Sequence, residues 1–220
     1  MTTDATQLDE ESAPDTSELP MAVGWTQSAI AINSILQLKI PMFLKLELQS
    51  HGPVLIDFRY HAFSWSTPLD EFPVDAVHTG IETQPADLSM PALFQLPGQN
   101  LDGLLWVVGT NAFDGAAASW LAPNERYKLS RWPNLTQHSH SMSQMHMMAM
   151  LGNAYLSTDD LAELAGVEKS EAQRLINALS LMRILVYSDE EPAAAAAAVV
   201  APPVAARESL FTRLRARLGR

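Results

Sequence analysis

The residues best suited to chemistry in this sequence are the imidazoles and thioethers between positions 138 and 148. Histidine and methionine are ligand types that suit copper, particularly Cu(I), and tracts rich in both residues bind it. On a helix, Met142, Met145 and His146 would share one face and could converge on an ion. The candidate copper ligands are therefore His138, His140, Met142, Met145 and His146.

The same segment has a structural interpretation, which we favour. Met142, Met145 and Ala149 follow helical spacing, with Met148 and Leu151 beside them. Methionine fills irregular gaps in apolar cores, so this spacing is equally typical of a buried helix face. We therefore expect the methionines to pack in the core, the histidines to be solvated, and no metal or other cofactor to be bound.

A second polar group, Asp57, Arg59 and His61, alternates with apolar residues between Val54 and Tyr60. Period-two alternation puts the three polar side chains on one face of a strand, where they could perform acid–base chemistry. More often such a face is the solvated side of a half-buried strand. No second grouping of a carboxylate and a histidine lies nearby in sequence, and the common nucleotide-binding, zinc-protease and hydrolase signatures are absent. We expect no enzymatic activity and no catalytic residues.

The composition narrows the classes of partner. The 25 Asp and Glu outnumber the 14 Lys and Arg, which gives a net charge of −11, and such a surface repels phosphate at long range. The absence of cysteine excludes disulfide scaffolds, iron–sulfur clusters, thiol catalysis and cysteine-based zinc sites. No apolar run reaches the ~18 residues that a membrane span requires, and the N-terminus lacks the features of a secretory signal. We therefore expect a cytoplasmic protein.

Charge and low complexity divide the chain into five parts. Residues 1–21 are acidic and poor in apolar side chains, which predicts a disordered tail. Residues 189–207 are predicted to form an Ala/Pro linker, and residues 208–220 are predicted to form a basic amphipathic helix. The remaining body has two textures, an α+β region over 22–134 and a helical region over 135–188.

The strand-like texture is clearest from Leu44 to Tyr60. Leu44, Leu46 and Leu48 alternate with polar residues, a turn-forming cluster follows at 50–53, and the alternation then resumes. This pattern predicts an antiparallel hairpin with one buried face. The predicted fold class is α+β, with an N-terminal antiparallel-sheet region packed on a C-terminal three-helix region. The large apolar residues expected to fill the junction are Trp106, Trp120, Tyr127, Leu129 and Trp132.

The helical texture carries its own start and stop signals. Ser157 or Thr158 can cap the second helix, Gly166 ends it, and Ser170 can cap the third. A β-branched run over 184–187 then predicts a strand. Three helices followed by a strand are therefore expected in this part of the chain.

A set of positions from Leu156 to Leu185 forms a pattern of its own: a Leu with a Ser, a Leu-Ala pair, a Gly-led turn and a Leu-rich helix before a strand. The matching positions are Leu156, Ser157, Leu161, Ala162, Gly166, Val167, Leu175, Leu179 and Leu185. With this pattern, residues 140–188 resemble the winged helix-turn-helix family. The resemblance implies a three-helix core followed by a wing hairpin. After Tyr187 the chain turns acidic and meets Pro192, so the second wing strand is expected to be missing.

The charge of the third helix indicates which kind of family member the chain resembles. Its recognition position carries the nearly balanced set Glu168, Lys169, Glu171, Arg174 and Arg183, whereas a DNA-reading helix normally offers a surplus of Arg and Lys. Winged helices without a basic face are similar to the protein-interaction versions in bacterial regulatory proteins. The predicted function is a non-enzymatic bacterial regulatory or scaffold protein that binds other proteins through the winged-helix-like module and a tethered C-terminal helix. A DNA-binding transcriptional regulator and, second, a copper-binding protein are the alternatives.

The C-terminal segment is the predicted partner-binding element. Leu210, Leu214 and Leu218 recur at helical spacing, and the arginines fall largely on other faces. Such a helix could dock on an acidic protein partner or make peripheral contact with an anionic membrane. The competing interpretation is a frayed terminus. The predicted binding set is Leu210, Phe211, Arg213, Leu214, Arg215, Arg217 and Leu218.

Overall fold

The computed structural model describes residues 22–74, 78–134 and 140–188. The predicted acidic tail, the Ala/Pro linker and the C-terminal basic helix lie outside these described residues. The described residues belong to a single compact unit that ends at Ser188. Among them, no helix is long and apolar enough to cross a membrane.

The fold combines helices with antiparallel sheets and is α+β, as predicted. The strands are β1 (Ala22–Val23), β2 (Met42–Leu48), β3 (Gly52–Asp57), β4 (Ala62–Ser64), β5 (His78–Pro85), β6 (Gln99–Asn100), β7 (Arg126–Leu129) and β8 (Leu185–Ser188). The helices are α1 (Thr26–Leu38), α2 (Leu101–Asn111), α3 (Met142–Asn153), α4 (Thr158–Ala165) and α5 (Lys169–Leu181). Two short 3₁₀ turns, Leu69–Glu71 and Phe113–Gly115, complete the described elements.

The main sheet has six antiparallel strands in the order β1-β5-β2-β3-β4-β6. Its centre contains the predicted hairpin, in which β2 and β3 pair over most of their length. Leu44, Leu46, Val54 and Ile56 are completely buried, which confirms the predicted apolar face. Alternation along each strand therefore directs one set of side chains into the core.

The chain does not continue as a strand beyond Asp57. The Asp57 carboxylate accepts the backbone N–H of Arg59 at 3.1 Å, and the Asp57 carbonyl accepts that of Tyr60 at 3.3 Å. These bonds close a turn that ends at His61, where φ is +48°. The expectation that Asp57, Arg59 and His61 share a solvated strand face is therefore wrong, because local turn hydrogen bonds replace the strand ladder.

A single apolar core joins the main sheet to the helices, and α5 is its central helix. Leu175, Ile176 and Leu179 are completely buried, and α5 packs against both α2 and α4. The approach of α2 to α5 is very close: a Cβ built on Gly109 would lie 2.5 Å from the Ala178 Cα. Glycine is required here because any side chain would force the two helices apart.

Capping residues begin two of the three C-terminal helices. Ser141 and Gln144 form a capping box on α3, and Ser157 forms one with Asp160 on α4, which ends at the left-handed Gly166. The predicted second-helix boundaries are thus confirmed. The predicted cap of the third helix is wrong, because α5 already begins at Lys169 after Glu168, which makes no side-chain cap.

The buried face of α3 differs from the predicted one. Met147, Met148 and Leu151 are completely buried, whereas Met142 is 84% exposed and Met145 is 37% exposed. Because apolar residues crowd this helix, its sequence has more than one possible apolar stripe. The stripe that packs contains Met147, so the expected burial of Met142 and Met145 is wrong.

Strand β8 pairs with β7, which precedes the three C-terminal helices in the sequence. The register is antiparallel, with Arg126 opposite Ser188 and Leu129 opposite Leu185. On the other side of β7, Leu156, in the connection between α3 and α4, forms a single β-bridge with Tyr127. The strand predicted over 184–187 is therefore present, shifted by one residue. The resemblance to winged-helix proteins itself stays a prediction.

The predicted junction core is present except at one end. Trp106, Tyr127 and Leu129 are buried, and the half-buried Trp120 donates its indole N–H to the Ser180 hydroxyl at 3.1 Å. Trp132 is 53% exposed, so its predicted burial is wrong. It follows the end of β7, where neither sheet continues to cover it.

Candidate functional site

A cavity of about 640 Å³ opens where β4, β6 and the start of α2 meet. Its volume lies within the ~300–1,000 Å³ range of small-molecule sites. The wall combines the 3₁₀ turn Leu69–Glu71 with residues at the start of α2. The described lining residues are Phe63, Pro68, Leu69, Asp70, Gly98, Gln99, Asn100, Asp102, Gly103 and Asn134.

Asp102 makes polar contacts with three residues around the cavity. Its backbone N–H donates to the side-chain oxygen of Asn100, the N-cap of α2, at 2.9 Å. Its carboxylate Oδ1 lies 2.8 Å from the Nε2 atom of His61, and Arg131 Nη2 lies 3.8 Å from its Oδ2. The Asp102 side chain is only 10% exposed. A buried carboxylate is therefore paired with an imidazole that is itself half exposed.

The backbone explains how residues 41 positions apart meet. The Leu101 N–H donates to the His61 carbonyl at 3.0 Å, and β4 continues this ladder by pairing Ala62 with Asn100. His61 and Asp102 therefore lie at the same end of the β4–β6 pair. Sequence analysis singled out His61 but missed Asp102, because the pairing of a three-residue strand with a two-residue strand leaves no pattern in the sequence.

Asp57 and Arg59 form a separate, buried ion pair. Arg59 Nε and Nη2 donate to the two Asp57 carboxylate oxygens at 3.0 and 2.7 Å, and the two side chains are 3% and 0% exposed. The guanidinium also stacks over the rings of Phe43 and Tyr60, at 4.6 and 5.2 Å from their centroids. Bidentate geometry and stacking are the contacts for which arginine is suited.

Arg59 also fixes the long connection between β5 and β6. Its Nη1 donates to the carbonyls of Asp87 and, at 2.9 Å, Met90, and its Nη2 donates to that of Pro91 at 3.3 Å. We call this connection, residues 86–98, the docking loop. Loops longer than about 12 residues without secondary structure are uncommon and are often functional.

The docking loop exposes apolar side chains although it is fixed. Leu88 is 81% exposed, and three further apolar side chains of the loop are also exposed. The four are Leu88, Met90, Leu93 and Leu96. Several exposed large apolar side chains on one ordered loop of an otherwise acidic protein favour an interaction surface.

The candidate copper ligands that the structure describes lie at the N-terminal end of α3. His140, Met142, Met145 and His146 are exposed at or before the start of α3, and His138 lies outside the described residues. No group of three or more His, Asp or Glu within residues 22–74, 78–134 and 140–188 could hold a metal ion. The predicted partner-binding residues, from Leu210 to Leu218, also lie outside the described residues.

Comparisons with protein-family models, with curated proteins and with solved structures found no match to this chain. Inference about function therefore rests on the geometry of the site and on the sequence.

Proposed function

We propose that this protein is a non-enzymatic regulatory or scaffold protein that binds another protein through the docking loop. One observation supports the proposal most directly: Arg59 holds the loop while its apolar side chains remain exposed. A loop that is already ordered loses little conformational entropy when it binds, so its apolar contacts contribute more fully to affinity. We also propose that it acts in a bacterial cytoplasm, the setting of the regulatory winged-helix proteins that residues 140–188 resemble.

The charge around the docking loop suggests the chemistry of the partner. The Ser89 backbone N–H and hydroxyl donate to the Asp87 carboxylate. These bonds lower the pKa of Asp87, with a smaller contribution from Arg59, so the carboxylate is charged at neutral pH. Glu82, on the strand that leads into the loop, is also exposed, although it lies 3.5 Å from the Lys45 ammonium group. We propose a partner protein with an apolar groove rimmed by Lys and Arg.

The alternative of a DNA-binding regulator fits the structure less well. Two polar side chains on α5 that could read bases, Gln173 and Asn177, are buried and used inside the protein, which leaves Arg174 as the exposed candidate. Gln173 binds Thr158 and Asn177, Asn177 binds the backbone of Ala116 and Ala118, and the basic Lys169 is paired with Asp159 at 2.6 Å. The helix that the family resemblance assigns to recognition thus offers little to a major groove.

An enzyme of the serine or cysteine hydrolase type is also disfavoured. The His61–Asp102 pair has the arrangement of a general base and its orienting carboxylate. A nucleophile must lie within hydrogen-bond reach of such a base, but among the described residues the hydrogen-bond partner of the His61 ring is Asp102 and not a Ser, Thr or Cys. We therefore retain the non-enzymatic proposal.

The proposal is tested with a photo-crosslinking residue placed at Leu88 to identify the partner, followed by measurement of its affinity. The double variant Leu88→Asp/Leu93→Asp should weaken binding by more than tenfold, because it replaces the apolar contacts with charges. Leu38→Asp, at an exposed leucine on α1, is the matched control and should bind like the wild type. Equal affinities for all three proteins would exclude the docking loop as the binding element.

A further inference from the structure

The lining of the cavity has a distinct chemical character. It combines two carboxylates with three amides, from Gln99, Asn100 and Asn134, and a short apolar wall. No Lys, Arg or His is among the described lining residues. The cavity is partly open to solvent and Asp70 is exposed, and walls of one charge sign attract ligands of the opposite sign.

The two carboxylates are in different electrostatic situations. Asp102 is paired with His61 and Arg131, neither of which lines the cavity, so these partners offset its charge in part from outside the cavity. Within the described residues, no ion pair joins Asp70 to a basic side chain. Asp70 therefore supplies the uncompensated charge of the cavity.

The start of α2 also faces the cavity, and a helix N-terminus favours anions. Here two side chains of the protein already interact with this helix N-terminus. The Asn100 side chain caps the helix, and the Asp102 carboxylate lies in its first turn. An anionic ligand would add a third negative charge beside Asp70 and Asp102, so the lining favours a cation instead.

We propose that this cavity binds a small organic cation, an amino or guanidino group carried on a small apolar body. Asp70 receives the cationic group, and Phe63, Pro68 and Leu69 contact the apolar part. Gln99 is held in place because its amide donates to the Trp65 carbonyl at 3.1 Å. The site is separate from the exposed leucines of the docking loop, so the inference does not depend on the proposed function.

The test uses three probes of the same shape and different charge: benzylamine, benzyl alcohol and benzoate. Each is titrated into the full ¹⁵N-labelled chain while the backbone amides of Gly98 and Gly103 are followed by NMR. Benzylamine should shift both amides with a dissociation constant in the ~1 mM range typical of fragments of this size. Benzyl alcohol and benzoate should bind at least tenfold more weakly.

Two variants assign the binding to Asp70. Asp70→Asn should weaken benzylamine binding about tenfold, because it removes the charge and keeps the shape. Asp114→Asn, a matched loss of charge near the opposite end of α2, should leave binding unchanged. Benzoate binding as tight as benzylamine would overturn the proposal, as would equal affinity of Asp70→Asn and wild type, or no shift of either glycine at about 10 mM benzylamine.

Discussion

The contact between Gly109 and Ala178 sets the distance between α2 and α5, because glycine has only a hydrogen atom where other residues have a side chain. Gly109 lies within α2, where alanine is intrinsically preferred to glycine by about 1 kcal/mol. A Cβ at this position would nevertheless lie 2.5 Å from the Ala178 Cα and 3.1 Å from its backbone nitrogen. Neither atom can move without displacing α5, so the steric penalty exceeds the gain in helix propensity.

Gly109→Ala should therefore lower the free energy of unfolding by about 1–2 kcal/mol, as overpacking of a core does. Gly152→Ala is the matched control, because its Cβ would meet nothing closer than the Trp132 ring at 3.9 Å. That variant should be neutral or more stable by up to about 1 kcal/mol. Urea denaturation of both variants measures the difference, and equal effects would contradict the close approach of α2 and α5.

The methionines of α3 provide a second residue-scale prediction. Met147→Ala should lower the free energy of unfolding by about 2–5 kcal/mol, because it truncates a completely buried side chain. Met142→Ala should change it by less than about 0.5 kcal/mol, since that side chain is 84% exposed. The two variants differ only in position on one helix. A larger loss for Met142→Ala in chemical denaturation would mean that the opposite face of α3 is buried.

Sequence analysis recognised chemical residue types more reliably than their partners. It selected Asp57, Arg59 and His61, and all three are engaged in polar contacts. It placed them on one strand face because alternation was visible, whereas the turn that separates them depends on hydrogen bonds that leave no periodic pattern. Asp102 could not be found, because its pairing with His61 depends on tertiary strand pairing.

The docking loop and the ion pair that holds it act together as an element. Removing Arg59 alone would leave a buried carboxylate unpaired and destabilise the whole protein, whereas replacing both charges with apolar residues is tolerated far better. The double variant Asp57→Asn/Arg59→Met removes both charges while Asn keeps an acceptor for the backbone N–H of residue 59, so it should keep the fold. It loses the donors to Met90 and Pro91.

In that double variant, limited proteolysis should cut within residues 86–98 several times faster than in wild type, because the loop opens locally without global unfolding. Thermal unfolding of the same samples is the control for the rest of the fold. Unchanged cleavage of the loop, with unfolding as in wild type, would show that Arg59 does not hold it.

Two tyrosines on the β7–β8 pair should make the stability of the folded protein decrease at high pH. Burial, followed by the charge of Glu125, raises the pKa of Tyr127, and burial also raises that of its neighbour Tyr187. The folded state therefore retains protons that the unfolded chain loses near pH 10. Their stabilising contribution is complete below about pH 10 and decreases as pH rises above it.

Above pH 10 we expect Tyr127 to reduce the free energy of unfolding by about 1.4 kcal/mol for each further pH unit. Tyr127→Phe should remove that part of the slope in urea denaturation series at increasing pH. Tyr155→Phe, at a residue that is 42% exposed, serves as the control and should follow the wild-type slope. An unchanged slope in Tyr127→Phe would assign the alkaline transition to other groups.

Elements with strong local signals were predictable, and those without them were not. The β2–β3 hairpin and the boundaries of α4 follow from alternation, a serine cap and a glycine stop. No helix was predicted over Thr26–Leu38, where the buried face of α1 includes the polar Ser28 and Asn33 and obscures the apolar period. Cap residues predict boundaries only where a helix uses them, and α5 does not.

At the scale of the whole molecule, the two textures of the sequence share one core. The same apolar cluster includes Leu44 from the main sheet, Leu105 from α2 and Leu179 from α5. Elements that share buried side chains lose them together, so the part of the chain that ends at Ser188 should unfold in one cooperative step.

Tryptophan fluorescence and far-ultraviolet circular dichroism should therefore give coincident urea transitions for the full chain. Trp25 and Trp65 report on the sheet side of the core, while Trp120 reports on the contact with α5. Variants that keep only one of these reporters test the two sides separately. Transitions that differ between the reporters would mean that the sheet and the helices unfold independently.

Gly98 is where the docking loop and the cavity share a wall. Its φ is +67°, and a Cβ there would lie 2.5 Å from the ring of Phe94, a residue of the same loop. A cavity occupant that favours one position of this ring changes the free energy of the loop. Thermodynamic reciprocity then requires a partner bound to the loop to change the affinity for that occupant by the same factor. If both proposed ligands bind, a metabolite-sized molecule and a protein partner would therefore each alter the affinity for the other through the wall at Gly98.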